Sequence, residues 1–310
     1  HYRRLWTTQF DNGNSNWKNL ENWPILEKES LRENPKDFLT TDCDHKRMFH
    51  EHTSGTTGKF LDLWWSKETV RNWYALWEAR CRRWYGVSRH DKWGILGGQL
   101  IIPYWQQKPP FWVWNLGLNQ LYMSVYHLSS KLIPYYLDAI KKFGVCYLWG
   151  YPSALYSLAL EIQRLKRKDL KMKVVITNAE PLYDYQREVI SQAFQCPVRE
   201  TYGMAEIVGA ASECDYGQLH IWPEVGIMSI LQDSLLEEDN QSGQLIGTGL
   251  LNADMPLINY RVGDRVILKA EQNSCDCGRK LPILHSVEGR VDNVLYTLDG
   301  RRIGRLDSVF

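Results

Sequence analysis

"VCYLWGYPSALYSLALEIQRLKRKDLKMKVVITNAEPLYDYQREVISQAFQCPVRETYGMAE", running from Val145 to Glu206, decides the fold because its hydrophobic period keeps changing. VCYLWGYP is a compact apolar run that ends at Gly150, as a buried strand does. PSALYSLALEIQRLKRK has the 3.6-residue spacing of an amphipathic helix. KMKVVITNAEPL then reads as strand and loop, YDYQREVISQAFQ as helix, and CPVRETYGMAE as strand and loop. Alternation of this kind predicts an α/β layer with a mostly parallel sheet.

Working outward, IPYYLDAIKKFG before this stretch predicts a helix closed by Gly144, and WGILGG around Gly94 predicts a short strand. Further upstream, KETVRNWYALWEARCRR from Lys67 to Arg83 places Val70, Trp73, Leu76 and Trp77 at helical spacing. Beyond Glu213 the texture changes to LHIWPEVGIMSIL, GQLIGTGL and RVILKA, short strand-like pieces separated by Gly, Asp and Asn. That region, about residues 212–285, is expected to form a β-rich, barrel-like or meander subdomain.

Composition narrows the function classes. The 37 basic and 36 acidic residues nearly cancel, so no overall field recommends nucleic acid or an anionic membrane as partner. No apolar run approaches the roughly 20 residues of a membrane-spanning helix, and HYRRLWTTQF lacks the apolar core of a signal peptide. A cytoplasmic protein is expected, and seven cysteines, an odd number, fit a reducing compartment without a disulfide framework. The chain does not begin with Met and RRIGRLDSVF stops within an apolar and basic pattern, so a longer parent protein is expected. The 14 tryptophans are read first as an aromatic core.

EHTSGTTGKF, from Glu51 to Phe60, gathers two glycines, a lysine and several hydroxyls. A Walker-type phosphate loop would need Gly where Thr53 stands and Ser or Thr where Phe60 stands, so that reading fails. Thr53, Ser54, Gly55, Thr56, Thr57, Gly58 and Lys59 can still wrap phosphates through backbone N–H groups, hydroxyls and one positive charge. The bland reading is a solvated Ser/Thr turn.

HTSGTTGK resembles the phosphate-binding motif of the adenylate-forming enzymes, and NAEPL, ETYGMAE, YRVGD and EGRVDN follow in that family's order. The texture is most similar to phenylacetate–CoA ligases and their relatives in polysaccharide-biosynthesis clusters. The resemblance begins near Phe49, and residues 1–48 carry little of it. It implies the large N-terminal domain of that superfamily over 1–289, with 290–310 as hinge and the start of a C-terminal lid that is largely absent from the sequence.

The implied chemistry is attack of a carboxylate on the α-phosphorus of ATP, giving acyl-AMP and pyrophosphate, then passage of the acyl group to CoA or an amine. Ser54 to Lys59 would hold the β- and γ-phosphates, with Thr53 beside them. Asn178, Ala179, Glu180 and Pro181 would lie against adenine, and an ordinary strand-to-helix turn is their bland reading. In Thr201-Tyr202-Gly203-Met204-Ala205-Glu206, Tyr202 would stack on the base, Gly203 would permit close approach and Glu206 would bind Mg²⁺, a hard cation that prefers oxygen ligands. Asp264 would accept from the ribose hydroxyls, its alternative being a hairpin-turn Asp. Arg290 would reach ribose or phosphate oxygens, and Asp292 would be the lid hinge, although the usual Asp-Asp pair is Asp292-Asn293 here. The lysine that completes adenylation in relatives would lie beyond Phe310.

Cys214 and His220, with Cys275 and Cys277, offer three thiolates and one imidazole, a set able to close a tetrahedral Zn²⁺ site. The spacing alone leaves unpaired buried or surface thiols equally open, and the resemblance favours structural zinc, with Gly278 allowing a tight knuckle. A zinc-finger reading lacks a basic helix among the ligands. His52, His127 and His285 read as packed or hydrogen-bonded residues rather than catalysts. For the acyl group, Trp105, Trp112, Trp114 and Tyr122 are candidates against a core reading, and Tyr151 of GYPS is the better single choice.

The sequence therefore predicts an ATP- and Mg²⁺-dependent, CoA-acylating ligase for a small carboxylic acid, with homodimerisation open. The alternatives are an amide-forming ligase in polysaccharide biosynthesis and a nucleotide- or zinc-binding module without catalysis.

Overall fold

The computed structural model describes residues 1–2, 20, 23–52, 60–232, 240–269, 275–290, 295–296 and 302–303. These group into two compact units. A β-rich unit is built from His1–Ala75, Gly203–Ala211 and the chain from His220 onward, and an α/β unit from Leu76–Tyr202 and Ser212–Leu219.

The β-rich unit opens with helix α1 (Lys28–Glu33) and the antiparallel hairpin of β1 (Phe49–His52) and β2 (Asp62–Trp65). Helix α2 (Lys67–Trp77) follows β2, as the spacing of its tryptophans predicts. Its predicted extent to Arg83 is met by a π turn over Glu78–Arg82 and a 3-10 turn over Arg83–Tyr85, which Gly86 ends with φ 69°.

The α/β unit carries β3 (Trp93–Gly97), β4 (Trp112–Asn115), β5 (Gln120–Ser124), β6 (Tyr147–Gly150), β7 (Val174–Thr177) and β8 (Val198–Gly203). Their order in the sheet is β8-β7-β6-β3-β5-β4, all parallel except the edge strand β4. Helices α3 (Ile133–Phe143), α4 (Pro152–Arg164) and α5 (Asp184–Phe194) are the crossovers between the parallel strands. Both α3 and α4 carry Pro in the first turn, where its missing N–H costs nothing, and Gly144 closes α3 with φ 66°.

Burial explains the period changes. Leu96, Leu148 and Val175 from the strands join Ile140, Leu158 and Phe194 from the helices in one core, each essentially inaccessible. Trp112 and Trp114 pack against this core, Trp114 stacking on Phe143 at 4.8 Å, whereas Trp105 is 68% exposed. The core reading of the two packed tryptophans is therefore the one the structure supports.

The strands that follow along the chain are β9 (Ala210–Glu213), β10 (Leu219–Ile221) and, in the β-rich unit, β11 (Gly226–Gln232), β12 (Asn240–Gly249), β13 (Tyr260–Lys269) and β14 (Ile283–Arg290). From β11 to β14, each strand pairs antiparallel with the next, giving a meander. The sequence around Leu26, where the resemblance is weak, is stitched to β13: Leu26 N–H donates to Asn259 O at 2.9 Å and Arg261 N–H donates to Leu26 O at 3.0 Å. Past Arg290, β15 (Leu295–Tyr296) and β16 (Arg302–Ile303) form a short antiparallel hairpin. Among the described residues, no helix is long and apolar enough to cross a membrane.

Candidate active site

Glu206 lies in the turn that leaves β8, and its side chain is only 5% exposed. Tyr260, the first residue of β13, donates its hydroxyl to Glu206 Oε1 at 2.8 Å. Lys28 Nζ, from α1, stands 3.1 Å from the same oxygen. Burial first, and then the Glu206 charge, push the Tyr260 phenol well above its ordinary range, so it stays a donor. Ile207 adopts φ 51°, a left-handed conformation that is an outlier for a β-branched residue, and its N–H closes the turn onto Met204 O at 3.1 Å. Strain of this kind costs on the order of 1–3 kcal/mol and persists where the surroundings over-determine it. The bond from Tyr260 and the ion pair with Lys28 fix the Glu206 carboxylate.

Four residues along β13, Asp264 lies directly across from Arg290 of β14, with Oδ1 and Nη1 3.6 Å apart. Gly263 before it has φ +87°, and a Cβ there would meet Arg290 Nη2 at 3.3 Å. Glycine thus supplies both the left-handed backbone and the space for the guanidinium.

In the α/β unit, β3 has β5 on one side and β6 on the other, so the chain reverses its direction of travel across the sheet at β3. Crevices at the carboxyl ends of strands beside such a reversal are where open α/β sheets bind ligands. Three tyrosines gather there. Tyr126 donates to Gly98 O at 2.7 Å, a Cβ on Gly97 would lie 3.0 Å from the Tyr122 hydroxyl, and one on Gly98 would lie 2.6 Å from that of Tyr151. Burial raises the Tyr151 phenol above its ordinary value, and it is the one residue of the three singled out as the better acyl contact.

The loop after β7 holds Asn178 to Pro181. Asn178 N–H donates to Gly150 O at 3.2 Å, and Ala179 takes φ 65°, a rare conformation for a residue with a Cβ. Glu180 accepts from Ser153 N–H and from Ser153 Oγ, both at 3.0 Å, so its carboxylate satisfies the first turn of α4. Its side chain is therefore committed to the scaffold, and the backbone of the loop is what can meet a base. Thr201 Oγ1 donates to Thr177 O at 2.8 Å and ties the end of β8 to this loop.

Below that end lies a carboxylate pair that sequence reasoning missed. Glu213 accepts from Arg187 Nη1 at 2.9 Å and from Glu200 N–H at 2.7 Å. Glu200 beside it has its carboxyl pushed up to about 7, by burial first and by the Glu213 charge second, against the pull of Arg187. Glu200 was legible only as the first letter of ETYGMAE, and nothing in the sequence signals a neighbour thirteen positions on. Lys28 and the Tyr260 hydroxyl were likewise missed, although Tyr260 stands inside a quoted motif.

His220, Cys275 and Cys277 converge within the β-rich unit, their ligand atoms within 4.8 Å of one another. His220 Nε2 is 3.3 Å from Cys277 Sγ, while Nδ1 lies 3.4 Å from Leu281 O. An N–H at Nδ1 toward that carbonyl leaves Nε2 as the lone-pair nitrogen facing the thiols, the arrangement metal-binding imidazoles use. Burial lowers the His220 pKa, which favours the neutral ligand form. Gly278 donates to Cys275 O at 2.9 Å with φ +76°, closing the knuckle. Cys214, assigned to the α/β unit, is 1% exposed in a turn where its N–H donates to Gln218 O at 2.8 Å. The phosphate-loop residues Thr53 to Lys59 and the hinge Asp292 lie outside the described residues.

No protein-family model matches the chain. It is 28% identical over 257 residues to protein CapK of Staphylococcus aureus, covering 82% of this chain and 55% of that protein. It is 27% identical over 296 residues to the phenylacetate-coenzyme A ligase of Pseudomonas putida, covering 90% and 62%. Among solved structures, 2-hydroxyisobutyryl-CoA ligase in complex with 2-HIB-AMP superposes with TM-score 0.73 at 18% identity, covering 98% of this chain and 66% of that one. The chain thus spans less than two thirds of the length of these curated relatives. Over most of its length the chain is thus similar to CapK and to phenylacetate-coenzyme A ligases, and its fold is that of the superposed ligase structure.

Proposed function

We propose that this chain carries the nucleotide-binding and adenylating part of a ligase that activates a carboxylic acid as its AMP ester, releases pyrophosphate and passes the acyl group to CoA. The observation that carries this reading is the pairing of Asp264 with Arg290, on the same strand as the Tyr260 whose hydroxyl holds Glu206. An ionised Asp264 offers two acceptor oxygens to a ribose diol, and Arg290 supplies donors and charge for ribose or phosphate oxygens. Lys59 and the hydroxyl-rich segment Thr53 to Gly58 are assigned to the β- and γ-phosphates. Asn178 to Pro181 present backbone to adenine, with Thr201, Tyr202, Gly203 and Met204 beside them. Tyr151, at the crevice beside β3, is assigned to the acyl group. Asp292 is assigned to the hinge and 290–310 to the start of the lid. Such a protein works mainly by positioning and by neutralising developing charge.

Two metals fit residues present. Both described contacts to Glu206 fall on Oε1, so Oε2 is the atom to which a Mg²⁺ role falls, and the ion when bound would offset charge on the phosphates. His220, Cys275 and Cys277 form a soft donor set suited to structural Zn²⁺, for which Cys214 is proposed as the fourth ligand. The relatives of this type with CoA-ligase names favour CoA over an amine as acceptor. A cytoplasmic location and a role in polysaccharide assembly, the latter implied by the resemblance of the motifs, complete the proposal.

The test is exchange of labelled pyrophosphate into ATP by the full-length protein, with and without candidate acids. Acid-dependent exchange is expected, and its absence with every acid tried, in protein that binds ATP, contradicts the reading.

A further inference from the structure

We propose that His50, His52 and Asp62, on the β1–β2 hairpin, form a second metal site, for a divalent transition cation, separate from the thiolate cluster. Alternation along β1 puts His50 and His52 on one face, and the register sets His52 directly opposite Asp62. Asp62 Oδ1 is 2.8 Å from His50 Nε2 and 2.8 Å from His52 Nδ1, and the three ligand atoms lie within 4.8 Å of one another. His50 is held in place by the indole of Trp64, on which its ring lies nearly parallel, 4° off and 4.7 Å between centroids. Trp64 is itself 5% exposed, so the platform is part of the packed unit.

Two imidazole nitrogens and a carboxylate oxygen aimed at one point suit zinc, cobalt, nickel or copper rather than magnesium or calcium, which prefer all-oxygen shells. Around a tetrahedral ion with bonds of about 2.0–2.2 Å, neighbouring donors stand roughly 3.3–3.6 Å apart. The side chains need open by only about half an ångström to admit it, a shift well within ordinary side-chain freedom. With side-chain exposures of 43%, 57% and 40%, the three leave water free to fill the remaining positions. A cleft of about 650 Å³, lined by His50, Asp62 and Trp64 together with Asp37, Lys36 and Lys46, opens beside the hairpin. The hairpin carries no thiol, so the site differs in kind from the cysteine cluster. A bound cation would clamp the two strand ends that flank the Thr53–Lys59 segment in the sequence.

Equilibrium dialysis of the full-length protein against micromolar Zn²⁺, with bound metal counted by elemental analysis, tests this. The wild type is expected to hold one equivalent more than each of His50→Ala, His52→Ala and Asp62→Asn, while Cys275→Ser lowers the count independently. The histidines and the aspartate are surface side chains, and an unchanged circular dichroism spectrum checks that each variant is folded. Equal zinc content in wild type and all three hairpin variants would overturn the proposal, leaving a plain histidine–aspartate hydrogen-bond cluster.

Discussion

Asp264 and Arg290 face each other across β13 and β14, carboxylate to guanidinium at 3.6 Å, with a left-handed glycine beside them making the room. Two residues twenty-six positions apart are brought together by strand register alone. Replacing Asp264 with Ala is expected to weaken ATP binding by roughly 10–100-fold, the worth of charge-assisted hydrogen bonds at about 1.5–3 kcal/mol. Isothermal titration calorimetry measures it. Unchanged affinity in Asp264→Ala would remove the ribose role.

Tyr260→Phe deletes the one described hydroxyl donor to buried Glu206. The loss leaves a buried acceptor with less compensation, so destabilisation of about 1–3 kcal/mol is expected in urea unfolding. Glu206→Gln keeps the shape and the tyrosine bond. It loses the ion pair with Lys28, and it is expected to lower the response of activity to Mg²⁺.

The Glu200 carboxyl supplies a pH dependence of a definite sign. Its folded-state pKa is raised to about 7 from the ordinary 4.5, so between these values the folded chain holds a proton that the unfolded chain has lost. Stability from this group therefore falls as pH rises through that window. Denaturant midpoints measured from pH 5 to pH 8 should decline in the wild type and decline less in Glu200→Gln. Parallel profiles would show that Glu200 does not titrate there.

Removing metal from the thiolate cluster should lower the thermal midpoint, since a structural zinc stabilises only the folded state. Cys277→Ser should show the lower midpoint without chelator and little further response to it. A chelator-insensitive wild type would argue that His220, Cys275 and Cys277 pack as unmetallated side chains.

Much of the fold was legible because burial on both faces of a parallel sheet leaves compact apolar runs, as in VVIT, while helices keep their stripe, as in PSALYSLALEIQR. Gly144 marked a helix end for a local reason, a left-handed cap. The motifs named Asp264, Arg290 and Glu206, yet not the groups that hold them. Lys28 reaches Glu206 from 178 positions earlier, and Glu213 raises Glu200 from another strand, relations that only tertiary structure sets. Glu180 shows the converse: it sits in a legible motif, yet its carboxylate is bound to Ser153 in α4. Trp112 and Trp114, aromatic enough to suggest a pocket, face the core because β4 is an edge strand beside α3.

The central claim is adenylation, and it is tested most directly by incubating the full-length protein with ATP, Mg²⁺ and a mixed library of carboxylic acids without acceptor, then searching for acyl-AMP by mass spectrometry. The account predicts at least one acyl-adenylate, formed in lower yield by Asp264→Ala at the same ATP concentration, and that product names the acid. ATP binding that depends on Asp264, with no adenylate from any acid, would contradict it and leave a nucleotide-binding module.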